Sequence, residues 1–372
     1  MKVLLIAGWV LLLFVSAVSA GDNFKEKLQK LTAIGEKAVA DPKLPGGSIR
    51  VVEKGEVNFD RGFGYVDKRQ TRTWTTSEVV AIASMSKPIT ATLVAVLVGQ
   101  GKLSFDDPVG KYLPEYNNLK LGGSPVRSPT IAECLSHTSG FQGGTMKGIP
   151  RDHPMRKSQI EAANSLAAEG LHTEPGSKYA YTFRGYAAVA AVIEKVTGKP
   201  FPEVLATELL EPLSMDDTTF HPDAALVKRM PKFASRVAGL SIEQIEDKME
   251  QKAPATPGSF VNVAGGLNST PDDLVRFFRL HSQRGKVGER QLVPPGILAE
   301  LYRGRPASPN YGMGFKRSGK KITGHGGATG TQGLVDLQND RILIVLTQAG
   351  SANARPLIKG AMREVFGERV TF

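Results

Sequence analysis

Residues 83–98 read Ala-Ser-Met-Ser-Lys-Pro-Ile-Thr-Ala-Thr-Leu-Val-Ala-Val-Leu-Val, and this stretch decides how the rest of the chain is organised. From Ile89 onward nearly every residue is apolar or small, and a helix without a polar face is enclosed on all sides. At its entrance Ser84 and Lys87 lie three residues apart, a spacing that places both side chains on one helix face. We therefore expect a buried helix with a hydroxyl and an amine at its first turn.

The Ser84 and Lys87 side chains have the chemistry of a nucleophile and its base. A lysine, whose pKa is ordinarily ~10.4, works as a base at neutral pH only if its pKa falls to roughly 7 to 8, which disfavours the ammonium by about 4 kcal/mol. Burial supplies such a shift, and the positive end of a helix dipole acts in the same direction. Because Ser-x-x-Lys also occurs by chance, the pair gains meaning only together with other motifs.

The first 20 residues are typical of a secretory signal. Lys2 precedes an apolar run over 3–15, and small residues end at Ala20, where cleavage is expected. The apolar run is too short for a comfortable membrane span, so the sequence predicts a secreted or periplasmic protein without integral membrane association after cleavage. The alternative is a buried first helix. Cys134 is the single cysteine, which excludes an intramolecular disulfide and a thiolate metal cluster.

The charge pattern argues against nucleic-acid binding. The chain has 47 Lys and Arg against 36 Asp and Glu, a formal net charge of +11, but the cations are scattered and not interleaved with aromatics. In an exported protein such a charge favours anionic envelope polymers or lipid surfaces. The histidines lack metal-ligand spacing, and the glycines of 324–330 do not fit a dinucleotide fingerprint. We therefore predict no metal and no cofactor.

The strand and helix patterns predict a mixed α/β (α+β type) fold. A helix over 24–39 is followed by a hairpin of 48–53 and 56–65, and three further strands are expected at 311–316, 333–337 and 341–347, before a closing helix over 354–366. Helical patterns fill the centre, at 88–100, 129–136, 158–169, 184–198, 201–210, 271–284 and 294–302.

This order predicts an antiparallel sheet built from both chain ends with a helical region inserted between them. The expected sheet domain covers 21–83 and 304–372, and the expected helical domain covers 84–303. Residues 241–257 are rich in Glu, Lys and Gln, which is typical of a solvated excursion.

Four further motifs resemble the serine β-lactamase and penicillin-recognising family, in particular its class C-like branch of esterases, DD-peptidases and lactamases. The resemblance spans nearly the whole mature chain and implies the β-lactamase/DD-peptidase-like fold. The motifs are Leu-Ser-His-Thr-Ser-Gly at 135–140, Pro-Gly-Ser-Lys-Tyr-Ala-Tyr at 175–181, Ala-Gly-Gly-Leu-Asn-Ser-Thr-Pro-Asp-Asp-Leu at 264–274 and Gly-His-Gly-Gly-Ala-Thr-Gly-Thr at 324–331.

The resemblance implies roles for two side chains besides Ser84 and Lys87. Tyr181 falls at the position of the family's catalytic tyrosine and is expected to share a proton with Lys87. His325 falls on the strand that carries Lys-Thr-Gly or His-x-Gly, where it is expected to act near the leaving group or a substrate carboxylate. A packed tyrosine and a structural histidine are the alternatives for these two residues.

The family pattern also implies an oxyanion hole formed by the backbone N–H groups of Ser84 and Ala328. Gly326 and Gly327 would let substrate approach the strand closely. His137 is expected to shape its loop rather than to act in catalysis.

One position departs from the family pattern. Phe183 stands where lactamases and peptidases usually carry Asn, which would bond Lys87 and the substrate amide. The presence of Phe183 shifts the expected substrate class toward esters, unless another side chain such as Gln142 binds the substrate amide. Arg184 adds a charge nearby.

Together these features predict an exported serine hydrolase that works through a Ser84 acyl-enzyme, most readily on esters. D-amino-acid peptides or β-lactams are the alternative substrates, and a non-catalytic peptidoglycan-binding protein is a second alternative. The expected partner is a small ester or a peptidoglycan-derived molecule. The sequence leaves the oligomeric state open.

Overall fold

The computed structural model of the chain describes residues 26–146, 157–232, 259–368 and 370. The predicted signal segment 1–20 and the predicted solvated excursion 241–257 lie outside these ranges. Within them, no helix combines the length and the apolar character needed to cross a bilayer.

The main sheet has six antiparallel strands, in the spatial order 56–64, 46–53, 341–347, 331–336, 322–327 and 316–318. The first two of these strands come from the beginning of the chain and the other four from its end. The sequence predicted this joining of the two chain ends, but its strand patterns gave three strands at the end rather than four. In the described ranges, three two-stranded ladders accompany the main sheet. The strands are β1 Gly46–Glu53, β2 Glu56–Gly64, β3 Val80–Ala81, β4 Lys120–Leu121, β5 Ser124–Pro125, β6 Asn268–Ser269, β7 Lys286–Val287, β8 Arg290–Gln291, β9 Lys316–Ser318, β10 Ile322–Gly327, β11 Thr331–Asp336 and β12 Arg341–Thr347.

The helices connect and cover these strands. They are α1 (residues 26–39), α2 Ser86–Gly99, α3 Ile131–Leu135, α4 Gln159–Ala168, α5 Arg184–Thr197, α6 Phe201–Leu205, α7 Ala224–Lys228, α8 Pro271–Ser282, α9 Pro295–Glu300 and α10 Ser351–Phe366. Helix α2 is buried from Ser86 to Leu97, which confirms the enclosed helix expected from its composition. Helix α8 begins after Thr270, whose side chain accepts a hydrogen bond from the Asp273 N–H.

Two predicted elements differ from the structure in position or type, and not merely by a few terminal residues. The predicted strand 311–316 is wrong: Tyr311 makes only an isolated bridge to Lys316, and the strand itself is β9. Gly314 explains the difference, because its φ of +80° turns the backbone out of the extended conformation. The predicted helix 201–210 is α-helical only over α6 and continues as a π-helical turn at Ala206–Leu210.

The sheet separates two hydrophobic cores because its side chains alternate between the two faces. On β12, Leu343 and Val345 join the terminal helices α1 and α10. Their neighbours Ile342 and Ile344 join the large core that contains α2 and the central helices. Ser84 lies where the chain leaves the sheet side and enters α2. The division into domains at residues 84 and 303 stays a prediction.

Candidate active site

The segment that carries Ser84 is held in place by strand pairing and by a strained residue. Strand β3, just before it, pairs with β6, and a single 3-10 turn at Ala83–Met85 then leads into α2. Ala83 has a φ of +46°, a conformation that residues with a Cβ adopt rarely. This backbone conformation at Ala83 turns the chain sharply. As a result, Ser84 lies at the helix entrance and is partly exposed.

The hairpin turn between β10 and β11 holds the same segment from the other side. The Thr329 and Thr331 hydroxyls donate to the carbonyl oxygens of Ala81 (2.6 Å) and Ile82 (3.1 Å). Gly327 allows this approach, because a Cβ at that position would lie 2.4 Å from the Ile82 carbonyl oxygen. The end of β10 is therefore packed directly against the entrance of α2.

Lys87 lies beneath Ser84 and is almost fully buried, with 3 % of its surface exposed. Its Nζ donates to Ser84 Oγ at 3.3 Å and to the Ala264 carbonyl oxygen at 2.8 Å. Burial lowers the pKa of Lys87 from 10.5 to about 7. The amine is therefore neutral in a large fraction of molecules at neutral pH, and its lone pair is then available to the Ser84 hydroxyl.

Tyr181 completes the polar group around Ser84. Lys87 Nζ lies 4.6 Å from the centre of the Tyr181 ring and 5.6 Å from that of Tyr186. Burial raises the pKa of Tyr181 to about 12, and a hydrogen bond between its hydroxyl and Ser84 opposes that rise in part. At neutral pH the tyrosine is thus protonated, whereas the lysine has already lost its proton in many molecules. The lysine is the stronger available base of the two.

Two backbone N–H groups at the cavity that Ser84 borders have no hydrogen-bond acceptor in the described ranges. Within the described ranges, neither the Ser84 nor the Ala328 N–H donates to any acceptor. Both residues border the same cavity. Unpaired amides next to a nucleophilic hydroxyl are the groups that stabilise a developing negative charge.

A chain of hydrogen bonds runs behind the cavity and passes through the buried Tyr311. His137 Nδ1 accepts from the Thr182 N–H at 3.2 Å, and His137 Nε2 lies 3.2 Å from the Tyr311 hydroxyl. That hydroxyl lies 3.1 Å from His325 Nε2, and His325 Nδ1 lies 2.6 Å from the Gly326 carbonyl oxygen.

The partners at the two ends fix the direction of this chain. A carbonyl oxygen only accepts, so His325 Nδ1 carries a proton, and an amide N–H only donates, so His137 Nδ1 carries none. Burial lowers the pKa of both imidazoles, that of His325 to about 3, and both rings are neutral. His137 therefore donates to the Tyr311 oxygen, and Tyr311 donates to His325. Both ring nitrogens of His325 are thus occupied by protein groups.

Tyr311→Phe removes the centre of this chain and leaves one buried donor on His137 and one buried acceptor on His325. We expect kcat/KM for a small ester to fall about tenfold to a hundredfold, because His325 loses its fixed orientation at the cavity wall. We also expect a change in the acid limb of the pH profile, since the free His325 nitrogen gains the ability to bind a proton.

The matched control is Tyr302→Phe, which removes a hydroxyl that bonds His281 away from the cavity. This variant should lower Tm without changing the pH profile. Equal activity and identical pH profiles for both variants would rule out a positioning role for Tyr311.

A cavity of about 870 Å³ opens in front of Ser84. The structure brings six residues expected from the sequence together on its wall, and Lys87 lies behind them. Two other expected residues do not line the cavity. Phe183 packs in the large core with 6 % exposure. Gln142 is exposed, and its backbone oxygen accepts a hydrogen bond from Arg184. The six cavity residues are Ser84, Tyr181, His325, Gly326, Gly327 and Ala328.

Two features of the site were missed from the sequence. Tyr311 was interpreted only as the start of a strand. The two glycines that follow it, Gly312 and Gly314, could have indicated a backbone turn, because glycine is favoured where φ is positive. The Ala264 carbonyl, which binds Lys87, could not be identified because backbone acceptors leave no residue-type signal.

The fold and this group of side chains define a serine hydrolase: a Ser-x-x-Lys pair at the entrance of a buried helix, a tyrosine next to the serine, and two backbone N–H groups, of Ser84 and Ala328, that are unpaired within the described residues and lie at the same cavity. The family described as Beta-lactamase matches residues 29–364, and the chain belongs to this family.

Individual relatives include both esterases and penicillin-binding proteins. Esterase EstB of Burkholderia gladioli is 30% identical over 312 residues, which cover 78% of this chain and 76% of the esterase. Penicillin-binding protein 4* of Bacillus subtilis (strain 168) is 25% identical over 361 residues, covering 93% of this chain and 77% of that protein. Among solved structures, EstCE1, a hydrolase with promiscuous acyltransferase activity, has the same fold, with a TM-score of 0.75 at 20% identity over 92% of this chain and 99% of that one.

Proposed function

We propose that the protein hydrolyses small carboxylic esters through an acyl-enzyme on Ser84. The observation that carries this proposal is the contact of Ser84 Oγ with the buried, weakly basic amine of Lys87 at 3.3 Å. A hydroxyl is a poor nucleophile by itself and needs an adjacent base that is neutral at working pH. Lys87 meets both requirements.

In the first half of the reaction the neutral Lys87 takes the proton of Ser84, and Ser84 Oγ bonds to the ester carbonyl carbon. The carbonyl electron pair moves onto oxygen, where the N–H groups of Ser84 and Ala328 stabilise it. When the carbonyl re-forms, the bond to the leaving alkoxide breaks, and the Tyr181 hydroxyl supplies that oxygen with a proton. Lys87 returns its proton to Tyr181.

In the second half, water attacks the acyl carbon and loses a proton to the Lys87–Tyr181 pair. The bond between the acyl carbon and Ser84 Oγ then breaks, and the serine regains its proton. The products are a carboxylic acid and an alcohol.

Esters are favoured over β-lactams by the environment of position 183. Position 183 offers no amide to the cavity, because its residue is a phenylalanine and the Phe183 side chain is buried in the core. A lactam or peptide substrate would bury its side-chain amide without that partner, at a cost of about 1 to 3 kcal/mol. Small esters carry no such amide and lose nothing. The esterase relative is consistent with this preference.

We expect the wild-type protein to turn over p-nitrophenyl acetate with a kcat/KM at least a hundredfold above that for nitrocefin. Steady-state assays with both substrates check this expectation. Efficient nitrocefin turnover would instead support the alternative of a β-lactam or D-peptide substrate. Phe183→Asn should not create lactamase activity, because the new amide would be placed in the core; it should lower stability by about 3 kcal/mol.

We also propose that the protein is exported before it acts. The support is the charged start, apolar run and small residues of 1–20. N-terminal sequencing of the protein recovered from the periplasm or the medium tests this: a mature chain that starts at Gly21 supports it, and an intact Met1 terminus in the cytoplasm contradicts it.

A further inference from the structure

The two oxyanion donors used in the proposed reaction lie on segments that are far apart in the sequence. The Ser84 N–H belongs to the turn that follows β3, and the Ala328 N–H belongs to the turn between β10 and β11. Two donors bind one oxygen well only if each is held within about 0.5 Å of its productive position. The structure must therefore fix these two segments relative to each other.

Backbone pairing does not connect the two segments. Within the described ranges, β3 pairs only with β6, and no backbone–backbone hydrogen bond joins residues 80–85 to residues 322–350. The hydrogen bonds between the Ser84 segment and this end of the sheet come from side chains instead.

Three side chains supply these bonds, and we call Thr329, Thr331 and Gln348 the carbonyl clamp. Thr329 Oγ1 and Gln348 Nε2 both donate to the Ala81 carbonyl oxygen, at 2.6 and 3.1 Å. Thr331 Oγ1 donates to the Ile82 carbonyl oxygen at 3.1 Å. All three side chains are buried, so these bonds are shielded from competition by bulk water.

The carbonyl clamp acts on the two peptide groups that precede the strained residue Ala83. The first group is held at both ends, because its oxygen is bound by the clamp and its N–H, that of Ile82, donates to the Leu267 carbonyl oxygen at 3.0 Å. The second group is held through the Ile82 oxygen. A positive φ at a residue with a Cβ persists only where the surroundings impose it, so the conformation of Ala83 depends on these contacts. The direction of the Ser84 N–H follows from that conformation.

The other donor is fixed to the carbonyl clamp by a tight turn. The Gly330 N–H donates to the Gly327 carbonyl oxygen at 3.0 Å, which closes the turn that contains Ala328 and Thr329. The Thr329 hydroxyl therefore has a fixed position relative to the N–H of the preceding residue. Its bond to Ala81 then determines how far this N–H lies from the Ser84 segment.

We propose that the carbonyl clamp sets the geometry of the oxyanion hole. Its members are positioning residues, which act through the backbone and hold the N–H groups of Ser84 and Ala328 at the separation that fits one oxygen. The proposal rests on the ester hydrolysis proposed above. It adds that stabilisation of the oxyanion depends on three buried side chains outside the Ser-Lys-Tyr group.

The test compares p-nitrophenyl acetate with its thiono analogue, in which sulfur replaces the carbonyl oxygen. Sulfur is larger and accepts hydrogen bonds more weakly, so a hole fitted to oxygen favours the oxygen ester. Thr329→Val keeps nearly the same shape and removes the donor. Loss of a whole oxyanion donor costs about 10^2 to 10^3 in kcat, so a displaced donor should lower kcat/KM for the oxygen ester about tenfold. The ratio of kcat/KM for the oxygen ester to that for the thiono ester should fall at least about threefold.

Two further clamp variants and one control define the effect. Thr329→Ser keeps the hydroxyl and should keep the wild-type ratio, whereas Thr331→Val, which frees the Ile82 oxygen, should lower it. The control Thr323→Val removes an equally buried hydroxyl of β10, which donates to the Lys316 carbonyl oxygen at 2.8 Å and does not line the cavity. It should lower Tm about as much as Thr329→Val and leave the ratio unchanged. If both clamp valine variants kept the wild-type ratio, or if Thr323→Val changed it equally, the proposal would be wrong.

A boronic acid separates this proposal from the proposed function, because it occupies the oxyanion hole without turnover. Ser84 Oγ bonds to the boron of phenylboronic acid, the serine proton passes to Lys87, and the boron becomes tetrahedral and negatively charged. The Kd, measured by calorimetry, should weaken about tenfold in Thr329→Val and stay unchanged in Thr323→Val.

The outcomes for the two proposals differ. A wild type that binds the boronic acid but hydrolyses no ester would overturn ester hydrolysis and leave the carbonyl clamp in place. Equal boronic acid affinity in the wild type, Thr329→Val and Thr331→Val would overturn the carbonyl clamp even if esters are hydrolysed, and so would a wild type that binds no boronic acid.

Discussion

Ser84→Ala is expected to lower kcat/KM for p-nitrophenyl acetate by a factor on the order of 10^3 or more while the protein stays folded. The variant lacks the only hydroxyl that contacts both Lys87 and Tyr181 in the described structure. The remaining oxyanion donors and the cavity would still bind substrate, which explains why a residual rate above the uncatalysed reaction is expected. Steady-state kinetics on the purified variant measures the effect.

The matched control is Ser86→Ala, two residues further along the same motif. Ser86 is buried, donates to the Ala83 carbonyl at 2.7 Å and accepts from the Leu267 N–H at 3.2 Å. Its loss should reduce stability by roughly 1 kcal/mol and leave the chemical step in place. If Ser84→Ala kept a tenth of wild-type activity, or if Ser86→Ala were the more damaging change, the assignment of the nucleophile would be wrong.

The second large effect concerns the base. Because Lys87 must be neutral to accept a proton, kcat/KM should rise with pH through an apparent pKa near the value of about 7 that burial gives this residue. Lys87→Arg should be nearly inactive at every pH from about 6 to 10, since a guanidinium does not release its proton in this range. Rate profiles of both proteins provide the comparison. An active Lys87→Arg enzyme would remove Lys87 from the proton path.

The burial of Lys87 should also affect the free energy of unfolding, and the variant Lys87→Met tests this effect. The pKa of Lys87 is about 7 in the folded protein and near its ordinary 10.5 in the unfolded chain. Between these values the unfolded chain binds a proton that the folded chain does not, so the wild-type free energy of unfolding should rise with pH across this window.

Lys87→Met lacks this dependence and should be the more stable protein at about pH 7.5, by roughly 2 to 4 kcal/mol, a gap that narrows by about pH 9.5. Denaturant unfolding at the two pH values measures the difference. If the difference in the free energy of unfolding were the same at both pH values, the buried Lys87 would not be the cause of the pH-dependent stability.

The parts of the fold that follow from hydrophobic periodicity could be predicted from the sequence. Helix α2 is apolar on every side and is buried from Ser86 to Leu97, and the alternation in 48–53 and 56–65 gives the β1–β2 hairpin. The joining of both chain ends in one sheet also followed from the order of strand-like and helical segments. These signals are local, and tertiary packing reinforces them.

Features set by long-range contacts could not be predicted. The backbone turn at Gly314 displaces the strand expected at 311–316, because that segment packs against α2: a Cβ at Gly314 would lie 2.8 Å from the Lys87 carbonyl oxygen. The role of Tyr311 depends on two histidines that are distant in the sequence. The core position of Phe183 likewise depends on packing, which the motif around Tyr181 does not encode.

The most direct test of the central claim is to trap the acyl-enzyme and locate it. The protein is mixed with an excess of p-nitrophenyl acetate, quenched in acid within the first turnovers and digested, and the peptides are analysed by mass spectrometry. The account predicts an added acetyl group, about 42 Da, on the peptide containing Ser84 and no such group on the same peptide of Ser84→Ala protein. An acetyl group located on another residue at the same stoichiometry, with Ser84 unmodified, would contradict it.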